Sequence, residues 1–337
     1  DYKISGEERT DGGTNIEDTK AMAIMLEEAG IDSLNVSVAV YETWYMQVPP
    51  SVMGHGWLAD YAEEIKKVVD IPVTTVGRIN DPYVAESIIR SGKADACYMG
   101  RASLADPWLP EKALGGHCED IITCIGCLQG CTSKIDTGYH GSCTLNPTTV
   151  REDELHITPA EKKKKIYVAG GGPAGAEAAI VLAWRGHDVT LFEKTDRLGG
   201  MYGCAAVPPW KGEISSFIVW QRIQLEKAGV EICYNKELTA EKVAEDQPDT
   251  VVIATGTNPW VPPVPGLEGE RVIRAVDLLE GRTDANGKIA VIGGGLVGSE
   301  TANYLAAHGN QVTIIEMMDE IAREEPGNMK RFLMQSF

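Results

Sequence analysis

Apolar residues along the first 110 positions switch between two periods. Met22, Met25, Leu26 and Ala29 recur at helical spacing, and Gly30 ends the run, so a helix is predicted over 14–29. Leu34, Val36, Val38 and Val40 alternate as a strand does, and Lys3-Ile4-Ser5 reads as the end of an earlier one. Leu58, Tyr61, Ala62, Ile65 and Val68 mark the next helix, and 71–76 the next strand, which ends in Gly77-Arg78. Asp81-Pro82 starts a helix carrying Val84, Ala85, Ile88 and Ile89, with Gly92 after it. A last strand over 94–99 ends in Gly100-Arg101. Strand and helix therefore alternate, which predicts a parallel sheet with helical cover.

Four such units are too few for a closed (β/α)8 barrel, which needs about 250 residues. They form either a half-sheet of another fold or the C-terminal half of a TIM barrel whose first half is missing. The two strands ending in Gly-Arg favour the barrel. Loops after its last strands commonly bind phosphate at the strands' C-terminal ends. Gly77 and Gly100 would let the backbone approach a phosphate, and Arg78 and Arg101 would add fixed charge. The plainer alternative is two surface arginines. Trp44, Tyr45 and Trp57 either line a pocket or simply pack.

The chemistry of the middle of the chain lies in its cysteines. Four of the eight fall within twenty residues, as Cys124, Cys127, Cys131 and Cys143. Such a set suits a [4Fe–4S] cluster, which four thiolates hold. A zinc site is the main rival, although zinc ligands usually come as separated pairs or with histidine. Disulfides are the third reading. Cys97, Cys118, Cys204 and Cys233 are scattered and read as ordinary thiols.

After a polar linker containing Lys162 to Lys165, the strand 166–169 runs into Gly170-Gly171-Gly172-Pro173-Ala174-Gly175. A helix, Gly186, a second strand and Glu193 follow. Gly170, Gly172 and Gly175 with the later acid form a complete dinucleotide-binding unit, in which the helix start meets a pyrophosphate and Glu193 takes ribose hydroxyls. The unit recurs at Gly293, Gly295, Gly298 and Glu316, with the same interval of 23 residues from first glycine to acid. Glu316 would repel a 2′-phosphate, and Met317 and Met318 follow it where an arginine would be needed, so NADH is expected over NADPH. Pro259, Pro262, Pro263 and Pro265 form a stiff crossing between the two folds.

Composition excludes other classes. The chain has 337 residues, 43% hydrophobic and 24% charged, with a net charge of −18. That charge argues against nucleic acid or anionic membrane as a partner. No run is apolar enough to span a bilayer, and no signal segment opens the chain, which begins at Asp1. Thiols and an iron–sulfur site together suggest the cytoplasm. Oligomeric state stays open, a homo-oligomer included.

Gly12-Gly13, Gly30-Ile31-Asp32, Gly77-Arg78-Ile79 and the run from Gly100-Arg101 to Asp106-Pro107 resemble the old yellow enzyme superfamily of flavin-dependent ene reductases. The resemblance implies that Gly77, Arg78, Gly100 and Arg101 contact FMN. It also implies that Lys3, where an arginine is usual, faces the flavin's pyrimidine edge. Tyr41 stands where related reductases place a histidine, and either protonates the substrate or only shapes the pocket. Arg197-Leu198-Gly199-Gly200 and the strand ending in Thr255-Gly256 resemble the FAD pattern of paired-dinucleotide-fold flavoproteins, implying FAD contacts at Arg197, Gly200, Thr255 and Gly256.

The order of parts is similar to that of 2,4-dienoyl-CoA and 2-enoate reductases and related NADH:flavin oxidoreductases. The expected domains are 1–117 (barrel half), 118–150 (cluster segment), 151–165 (linker), 166–265 (FAD fold) and 266–337 (nicotinamide fold, cut short). The resemblance implies that electrons pass from NADH to FAD, to [4Fe–4S], to FMN and then to an activated alkene. An amine dehydrogenase of the trimethylamine type, or an electron-transfer subunit without its own substrate site, are the alternatives.

Overall fold

The computed structural model describes residues 1–337 and divides them into two compact units. Asp1–Arg151 and Glu325–Phe337 form the first, and Glu152–Glu324 the second.

The first unit is built on a parallel sheet of β1 (Tyr2–Ser5), β2 (Leu34–Ser37), β3 (Val73–Thr75) and β4 (Ala96–Cys97), in that spatial order. Between the strands run α1 (Ile16–Glu28), the one-turn α2 (Trp44–Gln47), α3 (Ala59–Lys66) and α4 (Pro82–Arg90). Two helix starts follow from local chemistry. The Asn15 side chain accepts from the N–H groups of Glu17 and Asp18, and Asp18 returns the bond to the Asn15 N–H at 3.1 Å, which closes a capping box. The Asp81 carboxylate accepts from the Tyr83 N–H at 2.6 Å, with Pro82 supplying the first-turn φ.

One sheet face carries Ile4, Leu34, Val36 and Val73, which pack with Ala23 of α1, Ala62 and Ile65 of α3, and Ile88 of α4. The opposite face is polar over its first three strands, where register aligns Lys3, Asn35 and Thr74 in one row that ends at Ala96 on β4. All four residues of β2 are buried. The expected alternation is thus one of chemistry, not of exposure, since a parallel strand here is covered on both faces.

Beyond β4 come α5 (Gly100–Ala105), α6 (Leu109–Leu114) and, after the first three clustered cysteines, α7 (Thr132–Asp136).

The second unit has a four-stranded parallel sheet. It consists of β5 (Lys165–Ala169), β6 (Asp188–Phe192), β7 (Glu231–Cys233) and β8 (Thr250–Ile253), ordered β7-β6-β5-β8. Its helices are α8 (Pro173–Trp184), α9 (Met201–Ala205), α10 (Ile214–Lys227) and α11 (Ala240–Asp246). After α12 (Ala275–Leu279), a second pair of parallel strands, β9 (Lys288–Ile292) and β10 (Gln311–Ile315), flanks α13 (Leu296–Ala307). The β5-α8-β6 and β9-α13-β10 units are the repeat expected from the sequence.

Residues 325–337 cluster with the first unit, although sequence patterning places them in the nicotinamide fold. They form α14 (Gly327–Gln335). Phe332 packs edge-on against Tyr45 with ring centres 5.7 Å apart, and the Arg331 guanidinium lies over the same ring. Asn328 Nδ2 donates to the Val48 carbonyl at 3.2 Å.

Neighbouring residues on α4 test the packing. Ile88 is 7% exposed and belongs to the core, while Ile89 is 42% exposed. Ile88→Ala should cost about 2–5 kcal/mol in chemical denaturation, and Ile89→Ala about 1 kcal/mol or less.

Candidate functional site

The polar sheet face of β1 and β2 and the turns after β3 and β4 line a cavity of about 630 Å³. Lys3, Gly77, Arg78, Gly100 and Arg101, the five residues expected to contact FMN, all line it. Asn35 and Ser37 join them from β2, and the sequence reading missed both. Their Oδ1 and Oγ atoms are buried with no hydrogen-bond partner in the protein. A buried polar atom costs free energy unless it is paired, so these two suit a ligand with its own polar edge. The available signal was their position, at alternate places in a strand otherwise made of Leu and Val.

Gly77 and Arg78 both have left-handed backbones, at φ +106° and +53°. A Cβ on Gly77 would lie 2.8 Å from Leu58 Cγ, so the turn requires glycine there on two counts. For arginine the left-handed region is uncommon, and strain of this kind gathers at functional sites. Arg78 is buried and not an ordinary surface arginine. Its Nη1 donates to the Pro50 carbonyl at 3.2 Å, and its Nη2 meets His55 Nε2 at 2.7 Å. Arg101 Nη1 donates to the Pro49 carbonyl at 2.7 Å. Burial pulls the Arg101 pKa down, and the neighbouring thiols of Cys124 and Cys131 pull it back up.

Cys124 and Cys131 line the same cavity. Their loop is fastened to its wall. Asn80 Nδ2 donates to the Cys124 carbonyl at 2.6 Å, and the Ser51 N–H donates to the Gly126 carbonyl at 3.1 Å. The chain then doubles back. The Ser142 N–H donates to the Gly130 carbonyl at 2.7 Å, and the Cys127 sulfur meets Thr144 Oγ1 at 3.2 Å, which returns Cys143 to its partners.

Burial pushes the Cys124 thiol up to about 11, with Arg101 opposing and Cys127 and Cys143 reinforcing. Burial also raises Cys143, helped by Cys127 and Cys131 and opposed by the backbone N–H groups of Leu145 and Asn146. The four thiols therefore share one electrostatic neighbourhood. It favours thiolates once a cationic centre is present. The set of ligand atoms lying within 4.8 Å of one another is His117, Glu119 and Asp120, not the thiols. One tetrahedral zinc would hold its sulfurs roughly 3.8 Å apart, from a Zn–S bond of about 2.3 Å. Four cysteines and no histidine among them suit the all-thiolate ligation of a cubane cluster.

Tyr41 sits elsewhere. It is 89% exposed, stacks on Trp44, and lines a second cavity of about 390 Å³ together with residues of α14. Trp44 borders both cavities, whereas Tyr41 borders only the outer one.

The second unit repeats its glycine turn down to single hydrogen bonds. The Gly171 N–H donates to Glu193 Oε2 at 2.7 Å, and the Gly294 N–H to Glu316 Oε2 at 2.6 Å. The other oxygen of Glu193 accepts from the N–H and hydroxyl of Thr195, and that of Glu316 from the N–H groups of Met317 and Met318. These backbone donors hold Glu316 below the usual carboxylate range. Each acid thus shapes its turn, and a carboxylate bonded in this way still has lone-pair capacity to offer.

The likeness runs further than sequence spacing revealed. The Gly171 carbonyl accepts from the Gly199 N–H at 2.9 Å, and the Gly294 carbonyl from the Ala322 N–H at 2.7 Å. Ile321-Ala322 therefore does in the second unit what Leu198-Gly199 does in the first. Gly200 and the Ala254-Thr255 peptide also close on the first turn, within 3.4 Å of where a Cβ would meet them. A Cβ on Gly172 would meet nothing within 4 Å, which leaves space for a pyrophosphate above the start of α8. Arg197 is exposed beside this turn.

Residues 1–119 match the NADH:flavin oxidoreductase / NADH oxidase family, and residues 164–337 match the pyridine nucleotide-disulphide oxidoreductases. The chain belongs to these two joined families. It is 44% identical to an NADH oxidase of Thermoanaerobacter brockii, over 100% of this chain and 52% of the relative. It is 39% identical to a cinnamate reductase of Clostridium sporogenes, over 94% of this chain and 48% of the relative. The solved complex of a 2-naphthoyl-CoA reductase superposes on 99% of this chain and 51% of its own, with a TM-score of 0.94 and 33% identity. The chain spans about half the length of the relatives it matches.

FMN, FAD, NAD(H) and a four-iron cluster are the cofactors this membership brings. The cavity, the thiol set and the paired glycine turns fit them. No helix is long and apolar enough to cross a membrane.

The third glycine of each turn gives a matched test. A Cβ on Gly175 would stand 1.9 Å from the Gly170 carbonyl oxygen, and one on Gly298 1.8 Å from that of Gly293. Each helix must shift if alanine is introduced. Gly175→Ala should strip FAD during purification. Gly298→Ala should weaken NADH binding roughly tenfold or more, about 1.4 kcal/mol, while FAD content stays at the wild-type level. Flavin analysis and nicotinamide titration read the two effects separately.

Proposed function

We propose that this protein reduces an activated carbon–carbon double bond of an enoate, dienoyl-CoA or enone, with NADH as the electron source. The observation that carries the reading is one cavity, walled by both Gly-Arg turns and by two of the four clustered thiols. Such a cavity suits a flavin whose neighbour is an electron carrier, and the named activities of the NADH oxidase and cinnamate reductase relatives support it.

In this reading Cys124, Cys127, Cys131 and Cys143 hold the cluster. Arg78 and Arg101, with the backbone at Gly77 and Gly100, hold the FMN phosphate. Lys3 places positive charge where negative charge gathers on a reduced flavin, and Asn35 and Ser37 meet its polar edge. Gly170, Gly172, Gly175, Glu193, Arg197, Gly200, Thr255 and Gly256 hold FAD. Gly293, Gly295, Gly298 and Glu316 hold the nicotinamide nucleotide. When bound, these groups supply hydride from nicotinamide, single-electron passage through iron and sulfur, and interconversion of the two modes at the flavins. Lys3 and Tyr98 border the inner cavity and both carry protons there, whereas Tyr41 borders only the outer one. Cytoplasmic placement belongs to the same proposal.

Glu316 carries the choice of NADH. A 2′-phosphate brought to this ionised carboxylate meets like charge, which disfavours NADPH. The full-length protein, purified without oxygen, should have its flavin absorbance bleached roughly tenfold faster by NADH than by NADPH. Glu316→Gln should narrow that ratio. Bleaching by neither nucleotide would overturn the proposal and turn attention to amines with an artificial acceptor.

A further inference from the structure

One short helix joins the flavin cavity to the cysteine segment. α5 begins at Gly100-Arg101 on the cavity wall, and Leu104, near its other end, still borders the cavity. That far end holds both flanks of the cysteine segment. On the upstream side, Asp106 Oδ2 accepts from the Ile122 N–H at 2.9 Å, two residues before Cys124. The same oxygen accepts from Lys112 Nζ at 2.6 Å, while Oδ1 accepts from the Trp108 N–H at 3.0 Å. On the downstream side, the Leu104 carbonyl accepts from Thr149 Oγ1 at 2.7 Å and Asn146 Nδ2 at 3.3 Å, just after Cys143.

The clasp is dry. Asp106 is 2% exposed, Thr149 3% and Asn146 8%. Buried polar groups bonded to fixed partners resist displacement, because breaking the bond strands a donor or acceptor away from water. A helix of six residues is about 9 Å long and does not stretch. Movement of the cysteine segment must therefore move the turn at Gly100-Arg101, and the reverse.

We propose that Asp106, Asn146 and Thr149 are positioning residues that set the clustered cysteines against the flavin turn through α5. Loading of the cluster and retention of FMN are then linked. The inference rests on the reading of thiols and cavity given above. It adds residues that touch neither cofactor, and it makes the occupancy of one site depend on the other.

Thr149→Val keeps the shape and removes the hydroxyl, Thr149→Ser keeps the hydroxyl, and Asp106→Asn keeps the shape but loses one acceptor oxygen. In full-length protein purified without oxygen, iron, acid-labile sulfide, FMN and FAD are counted per chain. FMN release after dilution is timed, and the reduced cluster's paramagnetic resonance is recorded. Thr149→Val should lower iron and sulfide and speed FMN release about fivefold, the equivalent of one net hydrogen bond of about 1 kcal/mol. Asp106→Asn should do more, and Thr149→Ser should match the wild type. FAD should stay constant in all of them.

Wild-type iron and FMN release in both Thr149→Val and Asp106→Asn would overturn the clasp. So would iron loss with unchanged FMN release, or parallel loss of FAD, which marks general unfolding. A wild-type protein with no iron or sulfide would overturn the reading of the thiols themselves, which is a separate failure.

Discussion

Parallel strands put all their carboxyl ends at one edge, and the chemistry of this protein collects at such edges. In the first unit, the turns after β3 and β4 bring Arg78 and Arg101 to one cavity. In the second, the turns after β5, β6 and β8 converge on Gly170 to Gly172. Backbone hydrogen bonding fixes the direction of each strand, so turns far apart in sequence meet without special contacts to bring them together. The cysteine segment uses the same edge, since it is fastened to loops that follow β2 and β3.

Much of this was legible in the sequence, because short-range chemistry decides it. The Asn15 and Asp81 caps, the Gly-Arg strand ends, and the glycine-to-acid intervals of 23 residues are local patterns with local causes. What escaped needed the third dimension. Asn35 and Ser37 look like the solvent side of a strand until the sheet is covered on both faces. Ile321-Ala322 shares no glycine pattern with Leu198-Gly199, yet occupies the same place, since only a backbone N–H is required there. The docking of 325–337 uses an aromatic contact and a cation over the Tyr45 ring, with an amide bond to the Val48 carbonyl, and none of these has a spacing that a sequence reveals.

Function was legible to the depth of its cofactors and no further. Thiols, glycines and acids announce themselves because iron–sulfur and nucleotide chemistry accept few substitutes. A proton donor has no such signature. Many side chains will serve, and only placement distinguishes them. Tyr41 has suitable chemistry, but its phenol borders the outer cavity. Lys3 was legible only through the resemblance, as the lysine at a position where an arginine usually faces the flavin, and it sits on the polar sheet face at the cavity.

Arg78 shows what such placement asks of the fold. Its left-handed backbone costs about 1–2 kcal/mol for a residue with a Cβ. Glycine would relieve that strain, but it would delete the cation from the cavity wall and the buried bonds to the Pro50 carbonyl and His55. The side chain that strains the turn is therefore also the one that fastens it, and a single guanidinium ties a loop after β2 to the turn after β3.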